Sequence, residues 1–117
     1  KNEPITIYGD GSQIRDLCYV DDCVDAFILA TSNKANAKTY NVGGPSSTTL
    51  KDLANLMIRI NESGSCNYVE YPSGLMNIDI GDYTADTHMI ESDLGWISKI
   101  SLEEGIDDTV KYFKKII

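Results

Sequence analysis

The segment GDGSQIRDLCYVDD, residues 9–22, decides how the rest of this sequence is interpreted. It joins a short strand predicted at Ile5–Tyr8 to a second short strand predicted at Leu17–Val20, through a turn that its glycines form. Asp21 has the side chain of a helix N-cap and predicts a helix from there to about Thr31. Because apolar residues occur nearly all round that helix, we expect it to be buried on most sides.

The glycines of this segment do not form a dinucleotide-binding fingerprint. Ile14 stands where the third glycine of G-x-G-x-x-G belongs, and no helix is predicted to open there. The sequence also has no Tyr-x-x-x-Lys pair and no G-x-S-x-G motif. We therefore predict no catalytic residue and no cofactor-binding residue in this chain, and no cofactor bound by it alone.

Arg15 is the most informative residue of the segment, because the chain has only two arginines. A guanidinium keeps its charge and needs anionic partners when it enters an apolar run. One candidate partner is Asp16 or another acid near the start of the following helix. The other is the phosphate of a ligand, which arginine binds through two parallel hydrogen bonds. The spacing of the residues leaves both alternatives open.

Length and charge limit the possible functions. We expect 117 residues to form a single domain over residues 1–117. A net charge of −8 argues against a nucleic-acid partner, since such proteins rely on basic patches. No apolar run approaches the length of a membrane span, so we predict a soluble, cytoplasmic protein. The chain begins without methionine and already at a strand, which indicates a piece of a larger protein.

The cysteines and acidic residues predict no metal centre. Cys18, Cys23 and Cys66 form no C-x-x-C pair and are expected to be reduced. The acidic clusters do not match a calcium loop and are explained by helix capping and turns. His88, the only histidine, is predicted to be a surface residue at the start of a polar helix.

The remainder of the sequence alternates short strands with helices. Strand-forming runs occur at Thr39–Val42 and Asn67–Tyr71. Three further helices are expected: one capped by Thr49, a short one capped by Asp86 or Thr87, and a last one that opens at Ser101. These elements predict an α/β or α+β-like fold with short strands and about four helices.

Four motifs in order, GDGSQIRDLCYVDD, TYNVGG, GDYTAD…LGW and SLEEGIDDTVKYF, resemble the C-terminal third of nucleotide-sugar epimerases and dehydratases. These enzymes are extended short-chain dehydrogenases/reductases, a family that includes UDP-glucose 4-epimerase and dTDP-glucose 4,6-dehydratase. The resemblance extends over nearly the whole chain. It implies a small substrate-binding domain that is normally attached to an N-terminal Rossmann domain.

The resemblance also implies a division of labour in the parent enzyme. The Rossmann domain would hold NAD and the catalytic tyrosine, and the parent, a homodimer, would transiently oxidise carbon 4 of the sugar. An epimerase would be an isomerase, and a dehydratase or decarboxylase would be a lyase. The present chain would bind the nucleotide and diphosphate of the NDP-sugar without catalysing the reaction. A non-catalytic binding or interaction domain of the same fold is a second hypothesis.

Three residues match positions that the family uses for the substrate. Arg15 would contact the substrate phosphate, Asn41 would lie near the nucleotide or its phosphates, and Asp82 would lie in the ligand-facing loop. The alternatives are an ion pair for Arg15, a turn-forming asparagine for Asn41 and a turn-ordering acid for Asp82. Asp79 departs from the family pattern, because many members have a second phosphate-binding arginine there.

Three other residues in strongly patterned positions are predicted to be structural. Tyr19 is expected to pack with its hydroxyl group hydrogen-bonded, and Asp22 is expected to order the helix start or neighbouring backbone. Trp96 is predicted to be a core residue with its indole N–H satisfied.

Overall fold

The computed structural model describes residues 3–116, except for the side chain of Met76. Four helices and four strands occur within these residues, which confirms the mixed α/β class with short strands. The helices are α1 (Val20–Ala30), α2 (Leu50–Asn61), α3 (His88–Leu94) and α4 (Leu102–Ile116). The strands are β1 (Ile5–Tyr8), β2 (Ile14–Asp16), β3 (Ser47–Thr49) and β4 (Cys66–Val69). The ends of the predicted domain, residues 1, 2 and 117, lie outside the described residues.

The chain divides into two compact units. The first unit runs to Arg15, resumes over Thr48–Tyr83 and resumes again from Glu103. The second unit comprises Asp16–Ser47 and Thr84–Leu102. Two two-stranded sheets are present among the described residues, one of β1 with β4 and one of β2 with β3.

In the first unit, β1 and β4 are parallel, and their register runs from Ile5 opposite Cys66 to Tyr8 opposite Val69. Helix α2 packs on β1 and buries Ala54, while β1 buries Ile7. The predicted cap of α2 is confirmed, because the Thr49 hydroxyl oxygen accepts a hydrogen bond from the Asp52 N–H at 3.0 Å.

In the second unit, the core consists of Ala26, Ile90 and Trp96. Trp96 is only 3% exposed, and its indole N–H donates to the backbone oxygen of Asp22 at 2.9 Å. The prediction for Trp96 as a hydrogen-bonded core residue is therefore confirmed. Helix α3 ends at Gly95, as predicted, with the left-handed φ of 69° that favours glycine.

Two boundaries in the opening segment differ from the sequence prediction. The second strand is Ile14–Asp16 rather than Leu17–Val20, because its partner β3 lies alongside the earlier residues. Helix α1 starts at Val20 after Tyr19, so Asp21 lies in the first turn rather than at the N-cap. An acidic residue in that position still stabilises the helix, because it lies near the positive end of the helix dipole.

The helix α1 is much less buried in this chain than its composition predicts. Asp22 and Ala26 are its buried residues, whereas Phe27 is 76% exposed and Ile28 is 61% exposed. Residues Thr39–Val42 form no strand, although they are rich in strand-forming side chains. Both differences have one physical reason: a buried helix and a strand each need a neighbouring element, and propensity alone does not supply it.

The other elements agree with prediction within a few residues. Strand β4 is Cys66–Val69, where Asn67–Tyr71 is predicted, and α3 and α4 begin directly after the capping residues predicted for them. Within residues 3–116, no helix is long and apolar enough to cross a membrane.

Candidate functional site

Arg15 lies on β2 with a side chain that is 23% exposed. One terminal nitrogen, Nη1, donates to the backbone oxygens of Ile14 at 2.7 Å and Gly81 at 2.5 Å. The other, Nη2, lies 3.5 Å from Oδ1 of Asp79. Of the partners considered from the sequence, the structure therefore shows an acid, and that acid is Asp79 rather than Asp16.

Asp79 is itself held in place from its other side. The Tyr71 hydroxyl donates to Oδ2 of Asp79 at 2.8 Å, and the Gln13 side-chain amide donates to the same hydroxyl. The hydrogen bond from Tyr71 lowers the pKa of Asp79, and the Asp79 carboxylate raises the pKa of Tyr71. Asp79 is therefore ionised at neutral pH and faces Arg15 as a full negative charge.

Asp82 connects the same loop to the strand that carries Arg15. Its Oδ1 atom accepts a hydrogen bond from the Ile14 N–H at 2.8 Å, and the Tyr83 N–H donates to the Ile14 oxygen at 3.0 Å. Gly81 has a φ of 66°, which turns its carbonyl towards Arg15 in a conformation that favours glycine. Asp82 thus orders a turn beside Arg15, and it lies in an exposed position.

We call Gln13, Arg15, Tyr71, Asp79, Gly81 and Asp82 the Arg15 cluster; it lies within the first unit. The oxygen Oε1 of Gln13 is buried and, within the described part of the chain, has no hydrogen-bond partner. Sequence reasoning found Arg15, Asp79 and Asp82 but missed Gln13 and Tyr71. No motif marks those two residues, because they are brought together by the fold across more than fifty positions.

Asn41 belongs to the second unit, whereas Arg15 and Asp82 lie together in the first unit. Its side-chain amide is exposed and donates to the backbone oxygen of Asp86 at 3.4 Å. Asp86 in turn accepts hydrogen bonds from the N–H and Nδ1 of His88, which is 93% exposed at the start of α3. The Asp86 carboxylate raises the pKa of His88.

Asp16 has a structural role that the sequence prediction missed. Its Oδ2 atom accepts a hydrogen bond from the Ala85 N–H at 2.8 Å. A Cβ atom placed on Gly43 would lie 2.3 Å from the same oxygen. One on Gly44 would lie 2.1 Å from the Leu17 carbonyl oxygen. Gly44 is therefore required for the close approach of the Leu17 backbone, and Gly43 leaves room for the Asp16 carboxylate.

Asp22 confirms the prediction that it orders neighbouring backbone. Its Oδ2 atom accepts hydrogen bonds at 2.9 Å from the Ser98 hydroxyl and from the N–H groups of Lys99 and Ile100. Burial by itself would raise the pKa of Asp22, but the hydrogen bonds from Ile100, Ser98 and Lys99 outweigh it and lower that pKa. The residue is 3% exposed, and its role is structural.

The described part of the chain has three cysteines, and the pKa of one of them is strongly raised. Cys18, Cys23 and Cys66 are free thiols. Burial, with a further contribution from Cys23, raises the pKa of Cys18 to about 12, which makes it a poor nucleophile. Among the described residues, no group of three or more His, Cys, Asp or Glu side chains could hold a metal ion.

Known proteins with similar sequences and structures point to one group of enzymes. The family described as the NAD dependent epimerase/dehydratase family matches residues 1–43. The dTDP-glucose 4,6-dehydratase of Haemophilus influenzae is 31% identical over 95% of this chain and 36% of its own length. UDP-glucose 4-epimerase from Thermotoga maritima, solved with UDP-glucose, has a TM-score of 0.81 and 34% identity over 98% of this chain and 36% of its own. UDP-glucuronic acid 4-epimerase from Bacillus cereus, in complex with UDP-glucuronic acid and NAD, has a TM-score of 0.85 and 27% identity over 99% of this chain and 37% of its own.

These matches confirm the resemblance to nucleotide-sugar epimerases and dehydratases that the four sequence motifs indicate. The chain spans about a third of the length of the relatives it matches. Both epimerases and dehydratases occur among them, and the fold of this chain is that of the corresponding part of those enzymes.

Proposed function

We propose that this chain binds the nucleotide and diphosphate of an NDP-sugar, and that Arg15 contacts the phosphates. The observation that carries this proposal is the position of Arg15: a half-buried cation, fixed by the Ile14 and Gly81 carbonyls, in a protein of net charge −8. The fixed guanidinium has further N–H donors beyond these two contacts, and its bond to Asp79 is long at 3.5 Å. Such a group can bind a phosphate bidentately.

Asn41 and Asp82 complete the proposed substrate-binding set. The Asn41 side-chain amide is exposed and only weakly engaged at 3.4 Å, so it is free to turn towards a nucleotide or its phosphates. Asp82 orders the exposed turn next to Arg15 and would hold the ligand-facing loop in place. We propose that the two units together act as one substrate-binding domain.

We further propose that the whole protein is an NAD-dependent enzyme that epimerises the sugar at carbon 4. Dehydration or decarboxylation of the NDP-sugar is the alternative, since relatives of both the epimerase and the dehydratase type are similar to this chain. Oxidation at carbon 4 begins each of these reactions, and NAD supplies it. This chain anchors the nucleotide and diphosphate of the substrate, and the binding energy of that part positions the sugar.

The partner we propose for this chain is an N-terminal NAD-binding domain of the same cytoplasmic, homodimeric protein. Support comes from α1, which exposes apolar side chains along its length, and from Thr39–Val42, which has strand-forming side chains but no partner strand among the described residues. The exposed large apolar side chains of α1 are Val20, Val24, Phe27, Ile28 and Leu29. Surfaces of this kind are typical of interfaces with another domain.

A second candidate function is a binding module of the same fold that has lost turnover. The observation that favours it is Asp79, whose carboxylate lies 3.5 Å from Nη2 of Arg15 and would repel a phosphate bound there. The two candidates are separated by incubating the full-length gene product with NAD and UDP-glucose or dTDP-glucose. Conversion of either sugar supports the enzyme, and binding without conversion supports the module.

The binding role of Arg15 is tested by calorimetric titration of UDP-glucose and dTDP-glucose into the full-length gene product and its Arg15→Gln variant. Charge-assisted hydrogen bonds contribute about 1.5–3 kcal/mol each, so we expect the variant to bind about 10-fold to 100-fold more weakly. Arg59→Gln is the matched control, because Arg59 is 64% exposed and pairs with Glu103 at 3.1 Å. Equal affinity of the Arg15→Gln variant and the unaltered protein would overturn the proposal.

A further inference from the structure

We infer that Asp79 is a specificity-determining residue that competes with the ligand for Arg15 and disfavours ligands of high negative charge. The inference rests on the proposed binding of phosphate by Arg15. Asp79 places a carboxylate at that site, and a bound phosphate must either displace this carboxylate or bind next to it.

The two oxygens of Asp79 face different partners. Oδ1 lies 3.5 Å from Nη2 of Arg15, and Oδ2 accepts the Tyr71 hydroxyl hydrogen bond at 2.8 Å. The hydrogen bond with Tyr71 is thus the shorter of the two contacts, and it keeps the carboxylate beside the guanidinium. Any phosphate that reaches Arg15 on this side comes close to a carboxylate, and like charges a few ångströms apart repel each other.

The contact between Asp79 and Arg15 is weak enough to be exchanged for a ligand. The side chains are 23% and 25% exposed, and pairs of this kind are partly screened by solvent. The backbone of Asp79 is fixed separately, because its N–H donates to the Leu75 oxygen at 3.1 Å. A rotation of the Asp79 side chain that breaks the hydrogen bond from Tyr71 would therefore uncover Arg15, and the loop itself can stay in place.

Discrimination by charge follows from the same geometry. Electrostatic repulsion grows with the charge of the approaching ligand. A free pyrophosphate has more negative charge than the diphosphate of an NDP-sugar, which is esterified at both ends. Asp79 therefore weakens the binding of pyrophosphate more than that of the NDP-sugar, which favours the substrate over free anions.

The test is a titration of UDP-glucose, dTDP-glucose and inorganic pyrophosphate into the full-length gene product and four variants. The variants are Asp79→Asn, Arg15→Gln, the double variant with both changes, and Glu62→Gln. Glu62 is an exposed residue at the end of α2, so Glu62→Gln changes the net charge by the same amount elsewhere in the first unit. Asparagine has the shape of aspartate, and thermal unfolding of each variant shows that the fold is retained.

We expect Asp79→Asn to strengthen the binding of the NDP-sugar by about twofold to fivefold, the range typical of an exposed ion pair, and that of pyrophosphate by more. The Glu62→Gln variant should bind as the unaltered protein does, and the gain should disappear in the double variant. Unchanged or weaker binding by Asp79→Asn, or a gain that persists without Arg15, overturns the inference. If instead Arg15→Gln binds normally, or the unaltered protein binds no NDP-sugar, the proposed function fails.

Discussion

Replacing Asp22 by alanine should destabilise the second unit severely. The change removes one carboxylate oxygen that accepts three hydrogen bonds at 2.9 Å from Ser98, Lys99 and Ile100. Without it, three half-buried donors lose their acceptor together. The backbone oxygen of Asp22, which accepts the Trp96 indole hydrogen bond, remains but loses the order that the side chain imposes.

The size of the effect follows from these contacts. Hydrogen bonds to a charged group contribute about 1.5–3 kcal/mol each, but the freed donors recover part of this where water can reach them. We therefore expect the free energy of unfolding to fall by about 3–5 kcal/mol in Asp22→Ala. The fall should be only about 1–2 kcal/mol in Asp22→Asn, where a neutral oxygen still accepts. Against a typical domain stability of about 5–15 kcal/mol, the alanine variant loses a large share.

Urea denaturation followed by tryptophan fluorescence measures this loss directly, because Trp96 is the only tryptophan and contacts Asp22. Asp25→Ala in the same helix is the control, since Asp25 is exposed, and it should change stability by less than about 0.5 kcal/mol. A loss below about 1 kcal/mol in Asp22→Ala would refute the interpretation that this carboxylate holds the backbone of residues 98–100.

The pH dependence of stability provides a second readout of the same carboxylate. The pKa of Asp22 is lowered in the folded state from its ordinary value of 3.8. Its contribution to stability is therefore complete above that ordinary value and is lost as the pH falls below it, through the lowered pKa. In the Asp22→Asn variant, the decline in stability over that acidic range should be shallower than in the unaltered protein.

Three further predictions concern single contacts. Tyr71→Phe should raise the pKa of Asp79 towards its ordinary value, because the Tyr71 hydrogen bond is the main cause of the lowering; carboxyl NMR titration measures it. Thr49→Ala removes the side-chain cap of α2 and should cost about 1 kcal/mol of unfolding free energy in urea denaturation. Gly44→Ala should lower the melting temperature by several degrees, because the added Cβ would lie 2.1 Å from the Leu17 carbonyl oxygen.

Two of these have a matched control, and each has a result that would contradict it. Tyr68→Phe keeps Asp79 and its partners. An equal shift in the pKa of Asp79 in that variant would show that Tyr71 is not the cause of the lowered pKa. Ser46→Ala, at an exposed residue before β3, should leave stability unchanged; an equal loss there would remove the cap as the explanation. A melting temperature of Gly44→Ala equal to that of the unaltered protein would show that the Leu17 backbone moves without cost.

Local sequence signals predicted those parts of the fold whose cause is local. The cap at Thr49 and the stop at Gly95 mark real helix ends, since these signals involve residues only a few positions apart. The burial of α1 and a strand at Thr39–Val42 were predicted wrongly, because both require a neighbour that composition does not reveal.

The candidate site was predictable in its single residues but not in its arrangement. Arg15 stood out as one of two arginines, and Asp79 as a departure from the family pattern. The hydrogen bond from the Ile14 N–H to Asp82 joins segments more than fifty residues apart. The hydrogen bond from Tyr71 to Asp79 spans only a short loop, but no motif marks it. Contacts over such distances follow from the packed structure and leave no periodicity or spacing in the sequence.

A crystal structure of the full-length gene product with bound UDP-glucose or dTDP-glucose tests directly whether Arg15 binds the substrate diphosphate. We expect a nitrogen of the Arg15 guanidinium within about 2.7–2.9 Å of a diphosphate oxygen. We also expect the distance between Arg15 and Asp79 to have increased beyond the 3.5 Å seen in this structure. A bound diphosphate that lies away from Arg15, with Arg15 still paired to Asp79, would contradict both expectations.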